Sequence, residues 1–418
     1  MNKKVTVFDA LILSFFVILI TYQPFLLHHE IIMMETGIHL PGIYALFHGA
    51  IPYRDFLYFR GPFELYVPAF FMKLFGDNMI WLPIFYYVGT VLTLILGVVL
   101  ASQLYRTRLA LYLMVFVLVA RTFPRISFYY WGGMRYALGI LALVLAVQSF
   151  KSRRLSWMFG AGVASCLAFW ATIEAGVCTL FAVGGMLALS FLFRRDARGS
   201  IIQQARSYVL GFLAIFIPVV VYMWNTQSFF PYLETVYVVL TKSFKTFMNG
   251  PDIHPVGVAG FLSALLPTSK FFKSMTPVYF YLALIAYFFY RRKNRTFNAE
   301  MSCLIGIALY GAILYITGFR RLDGHHFEMA LQPEKILFFF LLEEAYLLLI
   351  KIRCQEAERA KTFALRGWQF LVMRKKIYLI NFLILAFVGS SAGYALARYN
   401  NRFVMARLLG NKLGYGDD

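Results

Sequence analysis

Residues 155–193 decide the fold: LSWMFGAGVASCLAFWATIEAGVCTLFAVGGMLALSFLF contains one charged side chain, Glu174, with nineteen residues on each side of it. A helix of about 20 apolar residues crosses a hydrocarbon core of about 30 Å. The stretch therefore predicts two membrane-spanning helices joined by a tight turn at Glu174. Because a charge at such a turn is tolerated at the membrane surface, Glu174 is interpreted either as a turn residue or as a substrate-binding group.

The rest of the chain has the same character. Of its 418 residues, 60% are apolar, 18% are aromatic and only 14% are charged, whereas a soluble domain carries roughly 25% charged residues. This composition excludes a soluble enzyme. Apolar runs between charged breaks predict about eleven membrane-spanning helices. They lie near residues 8–27, 79–101, 109–120, 136–150, 155–172, 176–193, 207–224, 276–290, 301–319, 335–350 and 377–396.

The predicted fold class is an all-α polytopic membrane protein with one integral-membrane domain, residues 1–418. Two long outer segments, residues 28–78 and 225–275, contain amphipathic stretches such as residues 62–75, and these predict helices lying on the membrane surface. The third apolar run, residues 109–120, is shorter than the usual ~17 residues. It is interpreted as a short span or as a re-entrant segment.

The net charge of +20, from 40 Lys and Arg against 20 Asp and Glu, is carried in short clusters between the apolar runs. This distribution indicates membrane topology rather than nucleic-acid binding. Every short basic cluster falls on one side of the predicted spans. The positive-inside rule therefore places the N-terminus in the cytoplasm. The first span, which lacks a small-x-small cleavage site, is expected to be retained. The four cysteines have neither disulfide nor zinc spacing and are expected to be core residues.

With this orientation, the polar residues that interrupt the apolar pattern collect on the outer side. No G-x-G-x-x-G or G-x-x-x-x-G-K-[ST] motif occurs, so the common nucleotide-binding loops are excluded. The sequence therefore predicts an outer-facing functional site. Its polar candidates are His28, His29, Glu30, Glu35, Asp55, Arg121, Arg125, Arg135, Glu174 and residues 320–326.

The most informative outer stretch is residues 34–76, METGIHLPGIYALFHGAIPYRDFLYFRGPFELYVPAFFMKLFG. It contains, in order, an acidic start at Glu35, the block G-A-I-P-Y-R-D at residues 49–55, a Gly-Pro turn at residues 61–62 and the ending L-F-G at residues 74–76. This order resembles the first outer loop of the GT-C glycosyltransferases that use a lipid-phosphate sugar donor. That superfamily includes the protein O-mannosyltransferases and the bacterial aminoarabinose transferase. Many relatives begin with Asp-Glu, whereas here a neutral residue follows Glu35.

A second block, residues 320–326 with the sequence RRLDGHH, resembles an R-x-D-x-x-H element found late in bacterial members of this superfamily. Arg321, Asp323 and His326 stand at the matching positions. The two resemblances imply a GT-C-like bundle and a hexosyl- or pentosyltransferase whose active site faces outward. They imply a polyprenyl-phosphate sugar donor, a glycolipid or polysaccharide acceptor and surrounding membrane lipid, with no nucleic acid. The alternative is that the block only turns the chain between the ninth and tenth spans.

In such a transfer, the acceptor hydroxyl attacks the anomeric carbon and must lose its proton, for which a carboxylate serves as general base. We expect Glu35 to be the base, with Asp55 as the second candidate; the alternatives are a solvated loop carboxylate and a locally paired one. The leaving lipid phosphate gains negative charge, so cationic donors are expected around it. This direct displacement inverts the anomeric configuration and requires no cofactor, and a divalent metal is compatible but not indicated. The phosphate-binding candidates are Arg321 and His326, with Asp323 to orient them, and then Arg135 and Arg54; Glu174, Tyr130 and Trp131 are candidates for substrate binding.

Two other classes compete with a glycosyltransferase. A transporter or flippase of lipid-linked oligosaccharide would place charges deep inside several spans and show internal repeats, whereas here the charges stay near the span ends. A polysaccharide polymerase or ligase also uses outer loops, but usually with a large Arg-rich loop late in the chain. The late loop here, residues 225–275, contains lysines and no arginine.

Overall fold

The computed structural model describes residues 5–22, 33–76, 78, 80–126, 133–239, 241, 257–269, 271–294, 297–319, 330–359 and 367–399. Over these residues the chain is helical, with no strand and one isolated bridge between Pro52 and Phe56. The predicted all-α class is confirmed. The α-helices of the described residues are α1 Val7–Thr21, α2 Met33–Phe47, α3 Phe63–Phe75, α4 Trp81–Leu104, α5 Arg108–Ile126, α6 Met134–Ser152, α7 Leu155–Ala171, α8 Ile173–Phe193, α9 Arg198–Asn225, α10 Phe229–Val238, α11 Gly257–Ala264, α12 Phe272–Asn294, α13 Ala299–Phe319, α14 Gln332–Arg359 and α15 Gly367–Tyr399.

Each of the eleven predicted spans corresponds to a helix, namely α1, α4 to α9 and α12 to α15. Within the described residues, five helical segments are both long and apolar enough to cross a membrane: Trp81–Leu104, Met134–Ser152, Ile173–Phe193, Arg195–Asn225 and Ala299–Thr317. The chain is therefore an integral membrane protein. The short third run belongs to α5, whose 19 residues measure about 28 Å at 1.5 Å per residue, so α5 is long enough to cross.

The predicted hairpin forms as expected. Helix α7 ends at Ala171 and α8 begins at Ile173, and Thr172 alone separates them. The side-chain oxygen of Thr172 accepts a hydrogen bond from the N–H of Ala175 at 3.4 Å, which caps α8. Glu174 lies exposed in the first turn of α8, where a carboxylate is favoured by the exposed N–H groups of the helix start.

Glycine residues bring α7 and α9 into backbone contact. A Cβ atom at Gly162 of α7 would lie 2.1 Å from the carbonyl oxygen of Tyr208, and one at Gly211 of α9 would lie 2.1 Å from that of Phe159. Helices in a membrane associate through close van der Waals packing, because lipid supplies no hydrophobic drive between them. The two glycines therefore determine the α7–α9 contact from both sides.

The two ends of the bundle differ in their polar contacts. At the end formed by residues 105–107 and 153–154, here called the basic end, Glu343 of α14 accepts hydrogen bonds from the N–H groups of Arg106, at 3.0 Å, and Thr107, at 2.6 Å. The Arg106 guanidinium also lies 3.2 Å from Glu344. These two carboxylates lie inside the predicted tenth span, residues 335–350, so the expectation that charges stay near the span ends is wrong for this helix. They bind the α4–α5 turn rather than facing lipid.

The opposite end, here called the loop end, carries α2, α3 and the α7–α8 turn. These elements share an aromatic-rich core that is separate from the larger aliphatic core of the bundle. Aromatic side chains suit this place because they combine a large apolar body with a polar tip. The buried members of the loop-end core are Ile43, Tyr53, Tyr58, Leu65, Ala69, Met72, Leu82, Phe85, Tyr86, Cys166, Trp170, Met223 and Tyr232.

Three cysteines have the structural role that the sequence predicted. Cys166, Cys178 and Cys303 are free and buried. Each lies inside a helix of the bundle, in α7, α8 and α13 respectively. Their small side chains fill space between packed helices.

Candidate functional site

The Gly-Pro turn of the first loop is seated on the tip of the α7–α8 hairpin. The N–H of Gly61 donates to the carbonyl oxygen of Ala171 at 3.0 Å. A Cβ atom at Gly61 would lie only 1.9 Å from the carbonyl oxygen of Trp170, so only glycine permits this approach. The two most informative stretches of the sequence, the first loop and the hairpin, therefore meet at one place.

The G-x-x-P-Y-x-D block folds into a compact loop pinned at its tyrosine. Tyr53 has a left-handed backbone, with φ of 69°, and its hydroxyl donates to the carbonyl oxygen of Arg60 at 2.6 Å. Its ring packs edge-on against Tyr232 of α10, with the centroids 5.0 Å apart. Burial raises the pKa of the Tyr53 hydroxyl well above its usual value. The group therefore stays protonated and keeps donating.

Asp55 and Arg54 form a planar, two-point ion pair within this block. The guanidinium donates to the two carboxylate oxygens at 2.8 and 2.9 Å, and the N–H of Ile51 donates to Asp55 at 2.7 Å. These contacts, with the Arg54 hydrogen bonds foremost, lower the pKa of Asp55 to about 2. A third nitrogen of Arg54 donates to the carbonyl oxygen of Thr226 at 3.2 Å. The pair therefore ties the first loop to the end of α9.

A second charged pair is buried beneath the Gly-Pro turn. The Arg60 guanidinium lies 3.4 Å from the carboxylate of Glu64, and the side-chain exposures are 14% and 0%. The two residues are one helical turn apart and flank Gly61 and Pro62. Glu64 lies within residues 62–75, which were predicted to form an amphipathic helix on the membrane surface, whereas the structure buries its side chain completely. This pair is the feature that sequence reasoning missed, and its signal was the i,i+4 spacing of opposite charges around the turn.

Two predicted residues, Arg135 and Glu174, are linked to this pair through Tyr136. Arg135 is 8% exposed, and its guanidinium carbon lies 5.0 Å above the ring centre of Tyr136. Tyr136 is within electrostatic range of Glu174, Arg60 and Glu64. We call Arg60, Glu64, Arg135, Tyr136 and Glu174 the hairpin-tip cluster.

The hairpin-tip cluster has the composition of an anion-binding site with an acidic rim. Two of its members are guanidinium groups with little exposure, held by a buried carboxylate and an aromatic ring. Arginine binds phosphate through a rigid fork of donors, and partial dehydration strengthens such contacts. The carboxylate of Glu174 is exposed in the first turn of α8.

The remaining predicted site residues lie wholly or partly outside the residues that the structure describes. Glu35 lies on α2, one helical turn before His39, and its side chain falls outside the described residues. Arg321, Asp323, His326, Tyr130 and Trp131 also lie outside the described residues, as do His28, His29 and Glu30. In the part of the chain that the structure describes, no group of three or more His, Cys, Asp or Glu side chains is placed to hold a metal ion.

An open cavity of about 330 Å³ lies beside the G-x-x-P-Y-x-D block. The end of α2, residues 49–51 and one face of α3 line it, and Tyr222 of α9 closes one side. The hydroxyls of Tyr66 and Tyr222 are 3.0 Å apart there, and Lys73 supplies a positive charge at its wall. The cavity is therefore mainly apolar with a few polar groups, a composition typical of small-molecule sites.

The fold and the site together define a class: a polytopic helical membrane protein whose first long loop packs a charged cluster onto a helical hairpin. No protein-family model matches the sequence, and no curated protein matches it. Among solved structures, the chain is similar to ArnT from Cupriavidus metallidurans in the apo state, at 16% identity over 86% of this chain and 68% of that chain, with a TM-score of 0.45.

The same protein bound to undecaprenyl phosphate matches at 16% identity over 89% of this chain and 72% of that chain, with a TM-score of 0.44. The oligosaccharyltransferase of Archaeoglobus fulgidus in its apo form matches at 13% identity over 81% of this chain, with a TM-score of 0.42. The chain covers 48% of that enzyme.

Proposed function

We propose that this protein is a GT-C-type glycosyltransferase that moves a sugar from a polyprenyl-phosphate carrier to an outer-facing lipid-linked or polysaccharide acceptor. The observation that carries the proposal is the seating of the Gly61-Pro62 turn on the hairpin tip. This contact brings the motif-bearing loop, which resembles the GT-C loop, over a cluster with two poorly exposed guanidinium groups. A sugar phosphate would satisfy both parts of this arrangement. The cluster would bind the anionic phosphate, and the loop would cover the sugar.

In the proposed reaction, the acceptor hydroxyl gives its proton to Glu35 and its oxygen attacks the anomeric carbon. The bond between that carbon and the phosphate oxygen breaks, and its electron pair leaves on the lipid phosphate. The anomeric configuration inverts because attack and departure occur on opposite faces. Cationic groups close to the leaving phosphate lower the barrier because the charge that they meet grows as the bond breaks.

Within this scheme the residues divide between phosphate binding and loop positioning. Arg135, which is poorly exposed and lies over the ring of Tyr136, contributes to the phosphate site, together with Arg321 and His326, which Asp323 orients. Arg54 and Asp55 hold the loop on α9, because their charged groups already bind each other at 2.8 Å. Glu174, Tyr130 and Trp131 contact the sugar or the acceptor. The protein is placed in a bacterial-type inner membrane with the loop end outside.

The test is whether the purified, reconstituted protein cleaves a polyprenyl-phosphate sugar. We expect release of the free polyprenyl phosphate when a polysaccharide or glycolipid acceptor is present, and about 10²-fold less release from Glu35→Gln. Both lipids are resolved by thin-layer chromatography. Passage of intact donor from one leaflet of a proteoliposome to the other, without cleavage, would instead show a flippase.

A further inference from the structure

A fully buried histidine joins the first loop to the membrane-spanning bundle. His39 of α2 has 0% exposure. Its Nδ1 lies 2.7 Å from the hydroxyl of Tyr58, and its Nε2 lies 2.8 Å from the hydroxyl of Tyr86. A neutral imidazole donates at one nitrogen and accepts at the other, while a tyrosine hydroxyl can do either. Both hydrogen bonds therefore form in a single arrangement, and burial makes each one costly to lose.

The two tyrosines that bond His39 are themselves buried. Tyr58 belongs to the loop between α2 and α3 and is 1% exposed, while Tyr86 belongs to α4 and is 0% exposed. The ring of Tyr86 packs on the start of α6, where a Cβ atom at Gly133 would lie 2.7 Å from it. His39 therefore links α2 to α4 through its hydrogen bond with Tyr86, and the ring of Tyr86 in turn contacts the start of α6.

Helix α2 needs such an anchor because its own hydrogen-bond ladder is interrupted. Pro41 lies inside α2; it lacks an N–H group, and its ring opposes the carbonyl of residue 37. A Cβ atom at Gly37 would meet nothing within 4 Å, so this position adds no close contact to the first turns of α2. Among the described residues of α2 before Pro41, His39 has a fully buried side chain, and position 35 precedes it by one helical turn.

We propose that His39 is a positioning residue for the transferase, whose bonds to Tyr58 and Tyr86 set the rotation of the first turns of α2 and thereby place Glu35 for proton transfer. This inference rests on the proposed function, in which Glu35 is the base. Small displacements of a reacting group, about 1 Å, can cost about 10²-fold in rate. A histidine that only fills the core would affect folding instead.

The test compares donor cleavage by folded, monodisperse variants. We expect His39→Ala to lower kcat by about 10- to 100-fold while the donor KM changes little, because the phosphate site is elsewhere. His39→Gln, whose amide can still reach Tyr86, should recover part of the loss. Tyr86→Phe, which keeps the ring, should lower kcat in the same direction.

The matched control is Tyr87→Phe. Tyr87 is the next residue of α4, and its hydroxyl donates to the carbonyl oxygen of Thr21 in α1 at 2.8 Å. Removing the Tyr87 hydroxyl breaks a hydrogen bond between α4 and α1 and leaves the His39–Tyr86 bond of α2 in place. We expect its kcat to match that of the wild type. Should His39→Ala fail to fold, the pair Tyr86→Phe and Tyr87→Phe decides the question.

A double variant separates positioning from packing. If His39 acts through Glu35, then adding His39→Ala to Glu35→Gln lowers kcat no further, since the base is already gone. An equal additional loss in that background overturns the inference, as does wild-type kcat in folded His39→Ala and Tyr86→Phe. Wild-type protein that cleaves no donor removes the proposed function, and this role with it. An active wild type with unaffected variants removes only the role of His39.

Discussion

The N–H of Gly61 donates to the carbonyl oxygen of Ala171 at 3.0 Å. This bond joins the first loop to the tip of the α7–α8 hairpin. The turn at residues 61–62 is part of the motif that resembles the GT-C loop. In the folded chain this part of the motif packs against the hairpin tip. Arg60 and Glu64, which flank the turn in sequence, have side-chain exposures of 14% and 0%.

Replacing Gly61 with alanine should undo this docking. The new methyl group would lie 1.9 Å from the Trp170 carbonyl oxygen, so the loop must move away from the hairpin. We expect Gly61→Ala to lose about 1–3 kcal/mol of stability together with most of its turnover, measured by thermal unfolding in detergent and by donor cleavage. Gly184→Ala is the control, because a Cβ atom there meets nothing within 4 Å. Equal melting temperatures for the two variants would contradict the contact.

The topology prediction places Glu35, Glu174 and His326 outside, and Lys151, Arg292 and Lys375 in the cytoplasm. Single cysteines at these six positions, in a background lacking the native cysteines, should react with an impermeant maleimide from outside only in the first group. The physical basis is the positive-inside rule, since the second group lies in the basic clusters. Labelling of position 292 in intact cells would reverse the orientation and move the loop end to the cytoplasm.

Glu35→Gln should lower sugar transfer by about 10²-fold or more, because the amide is nearly isosteric but cannot accept a proton. Donor binding and the melting temperature should change little. Asp55→Asn should cost less, since Asp55 holds the loop through Arg54. Single-turnover cleavage separates the chemical step from binding. Near-normal turnover in Glu35→Gln would shift the base assignment to Asp55 or Glu174.

The low pKa of Asp55 gives a pH dependence of known sign. Its folded-state pKa of about 2 lies below the usual aspartate value of 3.8, so the carboxylate stabilises the loop fully above about pH 4 and progressively less as the pH falls towards 2. Asp55→Asn should remove this component from the melting temperature measured between pH 5 and pH 2.5. Asp55 is already ionised above pH 4. Any fall in the turnover rate on acidification above pH 4 should therefore persist in Asp55→Asn. Disappearance of that fall in this variant would make Asp55 the titrating group.

The phosphate assignment of the R-x-D-x-x-H block is tested by donor binding. Arg321→Ala should weaken binding and slow the chemical step, and Arg321→Lys should restore only part of both, because lysine keeps the charge but loses the planar fork. His326→Ala should add less than an independent loss when combined with Arg321→Ala, since both would touch one phosphate. Donor affinity at the wild-type level in folded Arg321→Ala would reduce the block to a turn.

Much of the fold was predictable from the sequence because a bilayer leaves few choices. Backbone polar groups have no water partner inside the hydrocarbon, so each apolar run must form a helix. The eleven predicted spans and the hairpin at Glu174 follow from this constraint. The order of blocks in residues 34–76 also predicts a functional site in the first outer loop.

Which polar residues meet depended on the tertiary structure. The i,i+4 spacing of Arg60 and Glu64 permits an ion pair, but nothing in the local sequence showed that Glu64 is buried or that Gly61 between them contacts the hairpin tip, 110 residues away in the chain. His39 appeared as one more loop residue, and its role as a link between α2 and α4 required the positions of Tyr58 and Tyr86. The sequence by itself determined which segments lie in the membrane, because hydrophobic transfer depends on local composition. Only the packing of distant segments decided which charges are buried together, because burial depends on what covers a side chain rather than on its neighbours in sequence.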